Sequence, residues 1–176
     1  IDVVGIDAYF PLSNSSDGDI TSDDIVRGWE NGELYDYYID ESGNQSPLAP
    51  DWAIKNLRHW WNSSHSPWTP RLKPIWFTEL GFPSVHYSSN QPNVFWNPEV
   101  YDGGVPKHSS GKVDFTEQVK SLSASLRYWE RHKDMLTNIF VWTWDVRPYP
   151  EFPNRMDVWS DGDVWSRGHW LNGKID

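Results

Sequence analysis

Apolar runs of strand length alternate along this chain with stretches of helical period. Val3 to Phe10 is a strand-like run stopped by Pro11, and the two-residue period puts Gly5, Asp7 and Tyr9 on one face. A polar loop follows over residues 13–24. Thr21, Ser22, Asp23 and Asp24 then offer N-caps for a helix running from about Asp24 through Tyr38. That helix has to cross Gly28 and Gly32, so a break in its middle is expected, and residues 41–50 read as loop. Trp52, Ala53, Leu57, Trp60 and Trp61 recur at helical spacing after Asp51, predicting a second helix over 51–61. Pro74 to Gly81 reads as a buried strand closed by Gly81 and Pro83.

Residues 82–113 form a long connection rich in Pro, Asn, Ser and Gly, and connections of that length tend to be functional or mobile. A clear helix is predicted from Phe115 to Lys133, with Val119, Leu122, Leu126 and Trp129 as its inner stripe. Asn138 to Trp144 is the third strand, ending in Asp145, and residues 146–176 form an irregular tail without helical period. Strands that alternate with helices imply an α/β fold with parallel pairing and right-handed crossovers. Residues 1–176 form a single domain on this reading. Three strands are too few to close a parallel barrel, and parallel sheets are normally covered on both faces. The chain is therefore expected to be a piece of something larger, or to complete its sheet with another copy.

Composition sharpens the picture at one point. The 176 residues include 13 Trp, 8 Tyr and 7 Phe, 16% aromatic, with hydrophobic residues at 38%. Indole is hard to bury completely, so rings lining a cleft are expected beside those in the core. Sugar C–H faces stack on indole and sugar hydroxyls donate to carboxylates. An acidic, Trp-rich chain therefore points toward carbohydrate; an aromatic core under a solvated acidic surface is the other reading. The charge balance of 15 Lys+Arg against 25 Asp+Glu, net −10, argues against a nucleic-acid partner. No apolar run is long enough for a membrane span. With no Cys there is no disulfide, thiolate metal site or Cys nucleophile.

Glu79 is the first candidate for chemistry, a carboxylate at the carboxyl end of an otherwise apolar strand. In parallel α/β barrels those strand ends face the active site, and a carboxylate is costly to bury unless used or paired. Tyr9 and Asp7 end the first strand on the Gly5 face, where Tyr9 could hydrogen-bond Glu79. Trp142 and Trp144 end the third strand, where an indole could floor a sugar subsite. Asp145 and Arg147 follow at the mouth, able to bind substrate or to pair with each other. The six His lack the spacing of a helical zinc site. The two Asp-Gly-Asp stretches fail the calcium-loop template, so no metal and no cofactor is expected. No nucleophile elbow or phosphate-cradling loop is present.

Longer motifs carry a family resemblance. The segments KPIWFTELGFPSV (73–85), NQPNVFWNP (90–98), VWTWDVRPYPEFP (141–153) and DVWSDGDVWSRGHWLNG (157–173) resemble the glycoside-hydrolase-like TIM-barrel domain of gene transfer agent and phage tail proteins. That domain belongs to the large baseplate protein of alphaproteobacterial particles. The resemblance implies a (β/α)8 barrel of which this chain is the C-terminal part, about strands six to eight. It implies that Glu79 is the nucleophile of a retaining glycosidase, Tyr9 its strand-six neighbour, and Trp142 or Trp144 the stacking Trp of strand eight. In such enzymes the acid/base Glu lies on strand four, upstream of residue 1, so this chain alone is expected to be inactive; Asp145 is the local understudy. The implied substrate is a bacterial surface polysaccharide or peptidoglycan glycan. The implied partners are other baseplate and tail proteins and the missing barrel half or another copy. The implied setting is a particle made in the bacterial cytoplasm and acting at the cell surface or periplasm. A non-catalytic glycan-binding or structural baseplate module is the rival. A peptidase finds no supporting constellation.

Overall fold

The structure, a computed structural model, describes residues 1–30, 37–39, 42, 44–47, 57–94, 103–142 and 151–158. Its centre is a three-stranded parallel sheet of β1 (Val4–Asp7), β4 (Ile75–Leu80) and β5 (Leu136–Val141), in the order β1-β4-β5. Between β1 and β4 come α1 (Ser22–Glu30), the antiparallel pair β2 (Tyr37–Ile39) and β3 (Gln45–Pro47), and α2 (Leu57–Asn62). Between β4 and β5 come a 3-10 turn (Ser88–Asn90) and α3 (Phe115–Glu130); α4 (Glu151–Asn154) follows. This is an α/β fold with a parallel sheet, and among the described residues the sheet is open, not a closed barrel.

α1 starts two residues before the expected position because Thr21 and Asp24 cap it reciprocally. Thr21 N–H donates to Asp24 Oδ2 at 2.7 Å and Asp24 N–H to Thr21 Oγ1 at 3.2 Å. The Thr21 hydroxyl also donates to Asp24 Oδ2, at 2.6 Å, and this bond, then the one from Thr21 N–H, holds the Asp24 carboxyl below its ordinary range. The predicted helix through Tyr38 and the loop over 41–50 are both corrected by β2 and β3, whose register runs Tyr37↔Pro47 to Ile39↔Gln45. Tyr-Tyr-Ile favours strand, and the helical reading had no partner for it. The second predicted helix is seen from Leu57 to Asn62; its residues 51–56 lie outside the described residues. β5 begins two residues earlier than predicted, and residues 143 and 144 lie outside the described residues. α4 corrects part of the tail, supplying one helical turn where none was predicted.

The core lies between the sheet and α1 and α3. Trp29, Phe77 and Trp129 meet there, with Trp29 stacked on Phe77 at 5.7 Å and Trp129 edge-on to both, at 5.1 and 5.3 Å. α3 buries half of the predicted stripe: Trp129 is in the core and Leu122 packs against it, but Val119 is 62% exposed and Leu126 is also exposed. The rest of the buried face is Ser121, Ala124, Ser125 and Tyr128. Small side chains admit α1 at close range, and Trp29 Nε1 donates to Ser125 Oγ at 3.0 Å. A hydrophobic count includes Val119 and Leu126, whereas the close approach of α1 takes small residues beside Tyr128 and Trp129.

Candidate functional site

The site is created by a break in strand register. Ile6 pairs with Phe77, but Asp7 pairs with Glu79, so Thr78 is an extra residue in β4. The ladder to β5 shifts over the same stretch, between Phe77 and Leu80. Phe77 and Leu80 are both fully buried toward the helices. Strict alternation would have sent Glu79 to the Phe77 side. The bulge turns both Thr78 and Glu79 to the opposite face, as bulges beside active sites commonly do.

That face carries Gly5, Asp7, Thr78 and Glu79 together. Tyr9 Oη donates to Glu79 Oε2 at 2.7 Å, and Thr78 Oγ1 donates to Asp7 Oδ1 at 2.7 Å. Gly5 leaves room for this: a Cβ there would stand 3.1 Å from Thr78 Cγ2. Beyond β4, Trp142 N–H donates to Leu80 O at 3.0 Å. A Cβ at Gly81 would clash with the Trp142 carbonyl oxygen, which makes glycine a requirement where the two strand ends converge. Trp142 itself is exposed (58%) at the end of β5. Deeper along this face Trp76 donates from Nε1 to Thr137 Oγ1 at 2.8 Å and lies 5.8 Å from the Phe140 ring.

The structure therefore brings together Glu79, Tyr9 and Asp7, and places Trp142 at the adjoining strand end. Trp144, Asp145 and Arg147 lie outside the described residues. Burial, then the hydrogen bond and charge of Glu79, with a smaller effect of Asp7, push the Tyr9 phenol above its ordinary range. Tyr9 thus stays a donor across the physiological range. Because its folded value is raised, its contribution to stability is complete below about pH 10, the unfolded value, and is lost as pH rises through the folded value. An ultraviolet tyrosinate titration against Tyr9→Phe should show one phenol missing from the latest-ionising group. A phenol missing from the ordinary group near pH 10 would contradict the Tyr9–Glu79 bond.

The loops over this strand end are knitted together rather than loose. Leu12 N–H donates to Ser89 O at 2.8 Å, and Tyr87 Oη to Gly18 O at 2.7 Å. Buried Asn90 accepts from Ser15 N–H at 3.1 Å and donates to Ser15 O and Lys107 O, both at 2.8 Å. Val85 bridges Val113, and Asp114 N–H donates to Ser84 O at 3.1 Å, closing the ends of the 82–113 connection. Glu117, 4% exposed, anchors it: Oε2 accepts from Tyr87 N–H at 2.9 Å, and Oε1 from Ser89 N–H and Ser89 Oγ at 3.1 Å each.

Sequence reasoning missed Thr78, Glu117 and Asn90. For Glu117 a signal existed. Asp114-x-x-Glu117 is the spacing of a capping box, and Asp114 Oδ1 does accept from Glu117 N–H at 2.8 Å. The Glu side chain, however, leaves the box to hold the loop. Among the described residues no group of three or more His, Cys, Asp or Glu gathers to hold a metal ion, and no helix is long and apolar enough to cross a membrane.

Compared with known families, the chain matches the GTA TIM-barrel-like domain over residues 1–153. No curated protein matches it.

Proposed function

The chain belongs to the GTA TIM-barrel-like domain family of gene transfer agent proteins, and from that premise we propose that it is a glycoside-hydrolase-type domain acting on a bacterial surface or cell-wall glycan. On this reading β1, β4 and β5 are about the sixth, seventh and eighth strands of a barrel. The observation that carries the proposal is the Tyr9 hydroxyl on Glu79 Oε2, on the face the bulge has turned outward. One carboxylate oxygen is fixed and oriented. The other accepts no hydrogen bond from any described residue and is available to attack. Glu79 then bonds to the anomeric carbon, as in retaining glycosidases, and water releases the sugar. Trp142, exposed at the adjoining strand end, is the candidate for stacking on the sugar. The proposed setting is the tail or baseplate of a phage-like particle, made in the bacterial cytoplasm and working at the cell surface or periplasm.

A panel of 2-deoxy-2-fluoro glycosyl fluorides, incubated with the intact protein and followed by peptide mapping, tests this. Covalent label on the peptide carrying Glu79 is the expected result. No label with any sugar, together with retained binding to cell-wall or capsular glycan, would assign the domain to non-catalytic glycan binding instead.

A further inference from the structure

We propose that the glycan received at this end of the sheet is anionic, and that Lys107, Lys112 and His86 form the positive surface that takes its phosphate or carboxylate groups. The inference rests on the glycan reading of the site and deepens it by naming the substrate class.

Charge is spread unevenly along this chain. It carries 25 Asp+Glu against 15 Lys+Arg, net −10, so a polyanion meets net repulsion from the molecule as a whole. The 82–113 connection is the exception. It leaves the carboxyl end of β4 just after Glu79 and leads to α3. Its described residues hold no Asp or Glu; Glu99 and Asp102 lie outside the described residues. They do hold Lys107, His108 and Lys112, all exposed, and the half-buried His86. Among the described residues no carboxylate forms an ion pair with Lys112 or His86. The carboxylates tied to this unit are Asp114, which caps α3, and Asp17 and Asp19, which flank the Gly18 that Tyr87 contacts.

Hydrogen bonds hold these side chains on one scaffold. His86 N–H donates to Lys112 O and Asn90 Nδ2 to Lys107 O, both at 2.8 Å, so each lysine starts from a fixed carbonyl. Left-handed backbone at His108 and Gly111, φ 64° and 71°, turns the chain between them. Ser110 N–H donates to His86 Nδ1 at 3.1 Å. In the neutral ring the proton therefore sits on Nε2, which is left as a donor. The His86 ring is stacked on Tyr87, with centroids 3.7 Å apart, and Tyr87 Oη is tied to Gly18 O. The Asn90 amide also donates to Ser15 O, so the basic loop rests on the connections that leave both β1 and β4. Lysine is a compact point charge on a flexible stem and takes phosphate and carboxylate alike. A polymer with an anion on each repeat offers charge along its whole length, so one chain can meet this surface and present a sugar to Glu79.

The test measures binding of three polymers to the intact protein: a phosphodiester-linked teichoic acid, a uronic-acid capsular polysaccharide, and that same polysaccharide with its carboxyls reduced to neutral hydroxyls. The wild type should hold one or both anionic polymers about 10-fold more tightly than the neutral one at low salt, and the preference should shrink as NaCl rises. Which polymer is held identifies the anion. Lys107→Ala combined with Lys112→Ala should lower affinity for the anionic polymer on the order of 10-fold and leave the neutral one unchanged. Lys107→Arg combined with Lys112→Arg keeps both charges and should bind like the wild type, which separates charge from loop structure. Equal affinity for charged and neutral polymers, or wild-type affinity in the double alanine variant, would overturn the proposal while leaving the glycan reading in place. A single-stranded oligonucleotide bound more tightly than either anionic glycan, through the same lysines, would overturn it in favour of nucleic acid. Binding of none of the three polymers, with no fluoro sugar labelling Glu79, would instead remove the reading on which the proposal stands.

Discussion

Glu79→Gln should lower glycan hydrolysis by the intact protein on the order of 10⁴-fold or more, with almost no change in stability. Glutamine keeps the length and shape of glutamate, and its amide oxygen can still accept from Tyr9 Oη, the partner of Glu79 Oε2. What it lacks is an anionic oxygen able to form the covalent bond on which a retaining mechanism depends. The loss should therefore fall on the rate of bond cleavage, while glycan retained on the protein in a pull-down stays near the wild-type amount. Release of reducing ends from purified cell-wall or capsular glycan measures the first. Urea unfolding measures the second, with a midpoint close to that of the wild type. Undiminished hydrolysis in Glu79→Gln would remove Glu79 from the chemistry whatever the geometry suggests.

The largest expected effect on stability belongs to a residue outside the chemistry. Glu117→Ala should destabilise the protein by about 3–5 kcal/mol, since each buried donor stripped of its partner costs about 1–3 kcal/mol. The carboxylate accepts from Tyr87 N–H, Ser89 N–H and Ser89 Oγ, and alanine leaves all three without that partner in a buried setting. The damage should spread beyond α3. Ser89 O is the acceptor for Leu12 and Ser13 N–H, so loosening residues 87–90 also loosens the segment that follows Tyr9. Glu117→Gln, which keeps one carbonyl oxygen as acceptor, should fall between. Urea unfolding with hydrogen exchange at residues 84–94 reads both effects. Wild-type midpoint and wild-type protection in Glu117→Ala would mean that the loop is held by Asn90 and the Val85–Val113 bridge without it.

Much of the layout was legible from residue order. The apolar run 74–81 contains β4, the periodic stretch after Asp114 contains α3, and the parallel sheet follows from alternation of the two. Both signals are local: strand and helix periods, capping residues and glycine stops act within a few positions. Glu79 was identifiable because a charged residue at the end of a buried strand stands out against its neighbours. Tyr9 could be named as its partner only with the expectation that residues far apart in the chain end their strands side by side, and the bond at 2.7 Å meets that expectation.

Errors arose where the deciding partner was remote. Tyr37–Ile39 read as the end of a helix because its pairing with residues 45–47 is not visible in either segment alone. On α3 the assignment of Trp129 and Leu122 to the inner face holds, but Val119 and Leu126 are exposed and Ser121, Ala124 and Ser125 face inward because α1 packs close. Glu117 went unnoticed, because its acceptor role depends on a loop that begins some thirty residues earlier.

By itself the sequence determined that strands and helices alternate, that the carboxyl end of the central strand carries a glutamate, and that glycine follows it at residue 81. These are matters of local conformation and of which side chains tolerate burial. Tertiary structure alone decided which face Glu79 takes and which carboxylate stands opposite. A single extra residue in a ladder inverts the direction of every side chain beyond it. Whether that residue is Thr78 depends on how β4 aligns with β1 and β5, a balance of hydrogen bonds and packing across strands about seventy residues apart.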